Sequence, residues 1–253
     1  RRPTPRHDYA ATIGAIAEEV QALEAEFGRR GSVGVGIPGA LSTTTGLIKN
    51  ASSTWLLGRP LDRDLAAALR RPVRLMNDAN CLALSEASDG AAAGLAVVFA
   101  AILGTGVGGG IVVDKALLPG RQLIAGEWGH IALPWMRPEE HPGPLCNCGR
   151  RGCIEQFCSG PAKNRDRDAM GEERAMALYA DRLARALSLV INFLDPDVIV
   201  VGGGMSKHDD IYTAVPSLLR KYVYHRDPRT PIVRAMHGDA SGVRGAAMLW
   251  PAS

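Results

Sequence analysis

Residues 126–155 read GEWGHIALPWMRPEEHPGPLCNCGRRGCIE. His130 stands upstream of three cysteines, Cys146, Cys148 and Cys153, and a carboxylate lies near each end, Glu127 and Glu155. One imidazole and three thiolates make a complete tetrahedral donor set for zinc. Thiolates suit that ion because they are soft and lose their proton on binding. Cys-x-Cys sets two of them close together, and Gly149 and Gly152 tighten the return to Cys153. The fourth donor stays open on the residues alone: His130 and His141 are both at hand, and His141 is the closer by spacing. The bland alternative is a group of ordinary buried cysteines, which the polar, glycine-rich flanks argue against. Four protein donors leave no vacant position, so the site reads as structural and not catalytic.

Outward from this loop, strands alternate with helices. Apolar residues recur at helical spacing over 9–27 and 172–194, and shorter helices are expected over 61–69, 211–222 and 241–249. Residues 32–37, 73–76 and 197–201 read as strands, and 96–103 with 108–113 as a hairpin around Gly104-Thr105-Gly106. Residues 50–57 form a polar loop with Trp55, residues 77–80 read as a turn, and an Ala-rich helix follows to residue 93. No repeat of solenoid length is present. The alternation is that of an α/β protein.

Composition narrows the class. With 253 residues, 46% of them hydrophobic, the chain can bury a sizeable core. A net charge of +3 does not suggest a nucleic-acid surface, and pairs such as Arg70–Arg71 read as solvated faces. No apolar run reaches the roughly 18 residues of a membrane helix, and no signal peptide is expected. Cys81 and Cys158 fall in apolar stretches outside the cluster, so the five cysteines do not read as a disulfide framework. That usage points to a reducing cytoplasm. The chain opens on RRPTPRHDY, without Met, which reads as the middle of a polypeptide.

Asp78 is the candidate general base. It follows the strand over 73–76, and ligands of open α/β sheets bind beyond the carboxyl ends of strands. A carboxylate there can take the proton of a substrate hydroxyl. The competing reading is that Asp78, or Asn77, only caps a helix; on the residues alone the cap is favoured. Two glycine clusters could cradle phosphate: Gly104, Thr105 and Gly106 with Gly108, Gly109 and Gly110 in the hairpin, and Gly202, Gly203 and Gly204 after a strand. Each is weak alone. Neither has the P-loop spacing or the dinucleotide fingerprint, which disfavours both of those classes.

Together the motifs are more specific. NDANC (77–81), LGTGVGGG (103–110), GEWGH (126–130), CNCGRRGCIE (146–155), LDPDVIVVGGGMS (194–206) and HGDASGVRGAA (237–247) resemble the ROK family of sugar kinases and regulators. The resemblance spans nearly the whole chain. Residues 49–65, 126–136 and 242–251 look most like its bacterial fructokinase branch.

The resemblance implies a two-domain actin-like ATPase (ribonuclease H-like) fold. A small domain would comprise residues 1–93 and 240–253, and a large domain residues 94–239. It implies Asp78 as catalytic base, with Asn77, Glu127, His130 and Glu155 on the sugar hydroxyls. It gives His130, not His141, as the fourth zinc ligand beside Cys146, Cys148 and Cys153. Gly104, Thr105, Gly106 and Gly108 would face the phosphates of ATP with Mg²⁺, and Gly202, Gly203 and Gly204 its adenosine. The implied reaction is phosphorylation of a hexose, fructose to fructose 6-phosphate, with glucose, mannose or an N-acetylhexosamine as alternatives. The partners would be sugar and ATP, without nucleic acid or membrane, in a homodimer.

A sugar-sensing regulator on the same fold is the alternative from another class, and upstream sequence would separate it by a helix-turn-helix. A non-catalytic zinc-stabilised binding module is a further alternative. Two departures stand out. The family's Asp-x-Gly-Gly-Thr-like phosphate motif is absent from these residues, so the chain as written is expected to be incomplete for activity and to belong to a longer polypeptide. The stretch 161–173 is shorter than the family's usual connection.

Overall fold

The structure, a computed structural model, describes residues 3–251. Residues 1–2 and 252–253, at the two ends of the expected small domain, lie outside the described residues.

Helix α1 (Tyr9–Phe27) starts where the Asp8 carboxylate accepts the Ala11 amide, and ends at Gly28, whose φ of 60° is left-handed. Strand β1 (Val33–Ile37) leads into a hairpin of β2 (Ala40–Leu41) and β3 (Ile48–Lys49). A 3₁₀ turn (Thr54–Leu56) precedes α2 (Leu61–Leu69), which runs into β4 (Val73–Asn77). Leu61, Leu65 and Leu69 recur every fourth residue and are all buried. The first two pack on Ile37, Ile48 and Leu56. β1 and β4 pair in parallel, from Val33 opposite Val73 to Ile37 opposite Asn77.

Helix α3 (Asp78–Asp89) follows β4 without a break. The turn expected over 77–80 is therefore the first turn of a helix. The Asn77 side chain takes two of the amides that a helix start leaves unpaired, and so makes a separate turn unnecessary.

Next come β5 (Val97–Leu103), β6 (Val107–Val113) and β7 (Ala116–Leu117). The cysteine-bearing loop ends in α4 (Glu155–Cys158), followed by α5 (Gly160–Met170) and α6 (Glu172–Leu194). β8 (Val198–Gly202), α7 (Asp210–Leu219), β9 (Ile232–Arg234) and α8 (Ser241–Ala247) complete the chain. The larger sheet has the order β7-β6-β5-β8-β9, with β5, β8 and β9 parallel and β6 antiparallel to both neighbours.

Alternation along β5 sorts its side chains onto two faces. Val98 and Ala100 meet Leu82, Ala83 and Ala87 of α3. Phe99, Ala101 and Leu103 join Tyr179, Leu183 and Leu187 of α6 in the main core. Helices thus cover both faces of the sheet. Glycine lets α8 lie close between β1 and α3. A Cβ on Gly245 would fall 1.7 Å from the Cys81 carbonyl oxygen, and one on Gly34 would fall 1.8 Å from that of Ala246. Glu86, fully buried in α3, accepts hydrogen bonds from the amides of Ala91, Met236 and His237 and from the Ser241 hydroxyl. It closes the same junction.

The cysteine loop is anchored to α6 by charge. Glu140 accepts from Arg185 at 2.7 and 2.9 Å and from Arg182 at 2.8 Å. Asp181 adds contacts to Arg137 at 2.8 Å and Arg185 at 3.1 Å. Burial alone would raise the Glu140 carboxyl, but Arg185, the Arg137 amide and Arg182 outweigh it and hold it near about 2.

Candidate functional site

The carboxyl end of β4 delivers Asn77 and Asp78 to one place. The Asn77 Oδ1 accepts the amides of Ala79 at 2.9 Å and Asn80 at 3.4 Å, so Asn77 is the helix cap. Asp78 is left with a different environment: its Oδ1 accepts the Ala79 amide at 2.8 Å. Asp78 is exposed to solvent, yet the protein atoms crowded around the end of β4 partly desolvate its carboxyl and push it above the usual range, with the backbone amides acting against the rise. The cap is on Asn77, and Asp78 shares one of the same amides.

Glu127 faces the same ground. Burial pushes it upward as well; His130 and Lys49 counter the rise, while Asp78 and Glu155 add to it. Three carboxylates from β4–α3, the 126–130 turn and α4 therefore interact across one region. Glu155 Oε2 accepts the Val107 amide at 3.0 Å, which ties α4 to the start of β6.

Close packing sets these positions. A Cβ on Gly110 would come within 2.6 Å of the Ala79 carbonyl oxygen, and one on Gly109 within 2.8 Å of that of Gly126. β6 is thereby pressed between the first turn of α3 and the turn bearing Glu127. The Trp128 indole N–H donates to the Gly108 carbonyl at 2.8 Å and its ring meets Phe99 edge-on. Part of the glycine run that reads as a phosphate cradle is thus accounted for by packing.

The two glycine clusters are neighbours. β5 and β8 run in parallel with Ile102 opposite Gly202, and a Cβ on Gly203 would sit 2.5 Å from the Leu103 carbonyl oxygen. The Gly160 amide donates to the Gly104 carbonyl at 2.8 Å, which brings the start of α5 to the same sheet end. Nothing lies within 4 Å of a Cβ built on Gly104 or Gly204. Thr105 is exposed at the hairpin tip.

The donor atoms of His130, Cys146, Cys148 and Cys153 all lie within 4.8 Å of one another. A tetrahedral zinc with bonds of about 2.3 Å to sulfur and about 2.0–2.1 Å to nitrogen requires S···S near ~3.8 Å and N···S near ~3.6 Å. Cys148 and Cys153 sulfurs are 3.6 Å apart, and Cys146 Sγ is 3.5 Å from His130 Nδ1. These residues fit the ion. His141, the closer residue in sequence, is exposed and is not in the group. The reason is a short antiparallel return: Ala132 pairs with Cys153, and the Ile154 amide donates to the Ile131 carbonyl at 2.8 Å. That return sets His130 beside cysteines far along the chain. Cys81 and Cys158 are buried apart from the group, and burial pushes both thiols up to about 12.

One cation at this site was not singled out from the sequence. The Lys49 ammonium donates to the Gln122 carbonyl at 2.8 Å. No local signal marks it, since its partner is 73 residues away.

Helices cover both faces of a mixed five-stranded sheet, two two-stranded sheets accompany it, and a Cys₃His loop is inserted in the chain, which is a mixed α/β architecture. The family model described as "ROK family" matches residues 1–253, and the chain belongs to that family. An N-acetyl-D-glucosamine kinase of Escherichia fergusonii is 41% identical over 274 aligned positions, covering 98% of this chain and 90% of that protein. Among solved structures, a ROK hexokinase from Thermus thermophilus is 32% identical with a TM-score of 0.82, covering 98% of this chain and 88% of the other. A ROK family glucokinase from Streptomyces griseus, in complex with glucose and AMPPNP, is 26% identical with a TM-score of 0.83, covering 97% and 89%. Among the described residues, no helix is long and apolar enough to cross a membrane.

Proposed function

We propose that this protein is an ATP-dependent hexose kinase and that its sugar is an N-acetylated hexosamine, N-acetyl-D-glucosamine foremost. The observation that carries the kinase reading is Asp78. It is a solvent-accessible carboxylate at the end of β4, raised by partial desolvation and close enough for its charge to act on Glu127, which also senses Glu155. Asp78 accepts the proton of the attacking sugar hydroxyl, O6, as that oxygen adds in line to the γ-phosphorus of ATP and the bond from that phosphorus to the bridging oxygen breaks, releasing ADP. Asn77, Glu127, His130 and Glu155 hold the remaining hydroxyls. Gly104, Thr105, Gly106 and Gly108 face the phosphates, and Gly202, Gly203 and Gly204 the adenosine. Mg²⁺ brought with ATP would supply neutralisation of the charge that spreads over the phosphates in the transition state.

His130, Cys146, Cys148 and Cys153 hold zinc as a structural ion. With Nδ1 on the metal side, the proton of His130 stays on Nε2, which can then donate to a sugar oxygen. The division into a small domain (1–93 with 240–253) and a large one (94–239), closing on the substrates to exclude water, belongs to the same proposal. So do the homodimer and a cytoplasmic location.

The sugar is argued from likeness. The resemblance of residues 49–65, 126–136 and 242–251 suggested fructose; the relatives support hexose phosphorylation without singling fructose out, and those at 41% identity are N-acetyl-D-glucosamine kinases. A coupled ADP-release assay on the full-length protein, with N-acetylglucosamine, N-acetylmannosamine, glucose, mannose and fructose, tests both levels. N-acetylglucosamine is expected to give the highest kcat/KM. A higher value with fructose restores the fructokinase reading, and no stimulation by any sugar removes the kinase reading.

A further inference from the structure

Lys49 stands between two parts of the site that come from distant stretches of chain. In the hairpin, Lys49 lies opposite Ala40. The junction from β1 into β2 packs tightly on the end of β3, since a Cβ on Gly39 would fall 2.8 Å from the Lys49 carbonyl oxygen. Gly39 in turn offers its carbonyl to the Asn77 side-chain amide at 3.5 Å. On this side the hairpin is therefore fixed to the residue next to Asp78.

On the other side, the Lys49 side chain crosses to the Gln122 carbonyl at 2.8 Å. Gln122 belongs to a loop that bonds to itself: Leu123 to Gly120 at 3.1 Å, Ala125 to Pro119 at 3.2 Å and Glu127 to Ile124 at 3.2 Å. The loop ends at Gly126, packed on Gly109, and Glu127. A tether on Gln122 therefore acts on Glu127 through a short, internally braced path. The ammonium also favours the ionised form of Glu127.

We infer that Lys49 is a positioning residue for the sugar: it straps the β2–β3 hairpin to the loop over 118–127 and so sets the spacing between Asn77–Asp78 and Glu127. The inference rests on the hexose-kinase reading for its kinetic consequence, and on geometry alone for the strap itself. An ammonium-to-carbonyl bond is charge-assisted and stronger than a neutral one. Methionine keeps much of the length of the Lys49 side chain and removes the donor.

Two measurements on the full-length protein test this. In Lys49→Met, amide exchange over residues 118–127, followed by mass spectrometry without sugar, is expected to speed up by about tenfold. Unchanged exchange overturns the inference, whether or not the protein is a kinase. In turnover, Lys49→Met is expected to raise the KM for the sugar by about tenfold while the KM for ATP stays within about twofold. Lys49→Arg, which keeps a charged donor, should recover most of the loss. An unchanged sugar KM, or equal rises in both, also overturns it. Wild-type protein that no sugar stimulates overturns the kinase reading alone, and the exchange experiment still decides the strap.

Discussion

At the scale of residues, two neighbours divide two tasks. Asn77 caps α3, and Asp78 beside it is a solvent-accessible carboxylate whose charged form is disfavoured by partial desolvation. Asp78→Asn is expected to lower kcat by about 10²–10⁴-fold with little change in sugar affinity, measured by coupled turnover and equilibrium titration. The linkage runs opposite to that of a stabilising ion pair. A carboxyl whose folded pKa lies above its unfolded value weakens the fold once the pH exceeds the unfolded value, so the asparagine variant should melt no lower than wild type at neutral pH. The acid limb of the kcat profile should also lie above the ordinary aspartate value of 3.8. Glu140 is the reverse case. Held near about 2, it contributes stability in full above its ordinary 4.5, and that contribution is lost as the pH falls toward 2. Glu140→Gln should cost about 1–3 kcal/mol in urea unfolding near neutral pH, because it removes the buried charge that Arg185 and Arg182 share, although Asp181 and Asp166 stay beside them. The difference from wild type should shrink in acid.

At the scale of elements, helix boundaries were readable wherever periodicity and caps agreed. Tyr9–Phe27, Leu61–Leu69 and Glu172–Leu194 end where their apolar spacing ends. The start of α3 was not readable, because an Asn-Asp pair satisfies a turn and a cap equally well in sequence. Helix α5 fills the stretch 160–170 that had no expected element; its polar composition carries no apolar stripe, although Ser159 caps it and Pro161 sits in its first turn. The four zinc donors were legible as a set, but His130 could be chosen over His141 only by family likeness. The pairing that selects it joins Ala132 to Cys153, beyond the reach of local spacing. The glycines of β6 carry a test that separates packing from ligand contact. Gly110→Ala forces its Cβ toward Ala79, Asn80 and Ala83, and should cost about 1–3 kcal/mol in thermal unfolding and displace Asp78. Gly104→Ala meets nothing within 4 Å and should keep the melting temperature while raising the KM for ATP.

At the scale of the whole molecule, the cysteine loop is held from two directions. Its charged end is locked to α6 through Glu140, and its sulfur end would be gathered by the ion that His130, Cys146, Cys148 and Cys153 fit. Purified protein should carry about one zinc per chain by elemental analysis. Stripping it with a chelator should lower the melting temperature and weaken sugar binding more than ATP binding, since Glu127 and Glu155 flank the loop and the adenosine side does not. Near-zero metal in folded, active protein would remove the ion from the account. Helix α3 stands between the five-stranded sheet and the β1–β4 pair, gripped along one flank by β6 and along another by α8, with glycine or alanine at the closest approaches. That arrangement has a hereditary consequence. Positions such as Gly34, Gly110 and Gly245 have almost no room for a larger side chain. In a saturating library of variants, inactive alleles should cluster there as densely as around Asp78, and the map of intolerance would trace the seat of the base rather than the outline of the pocket.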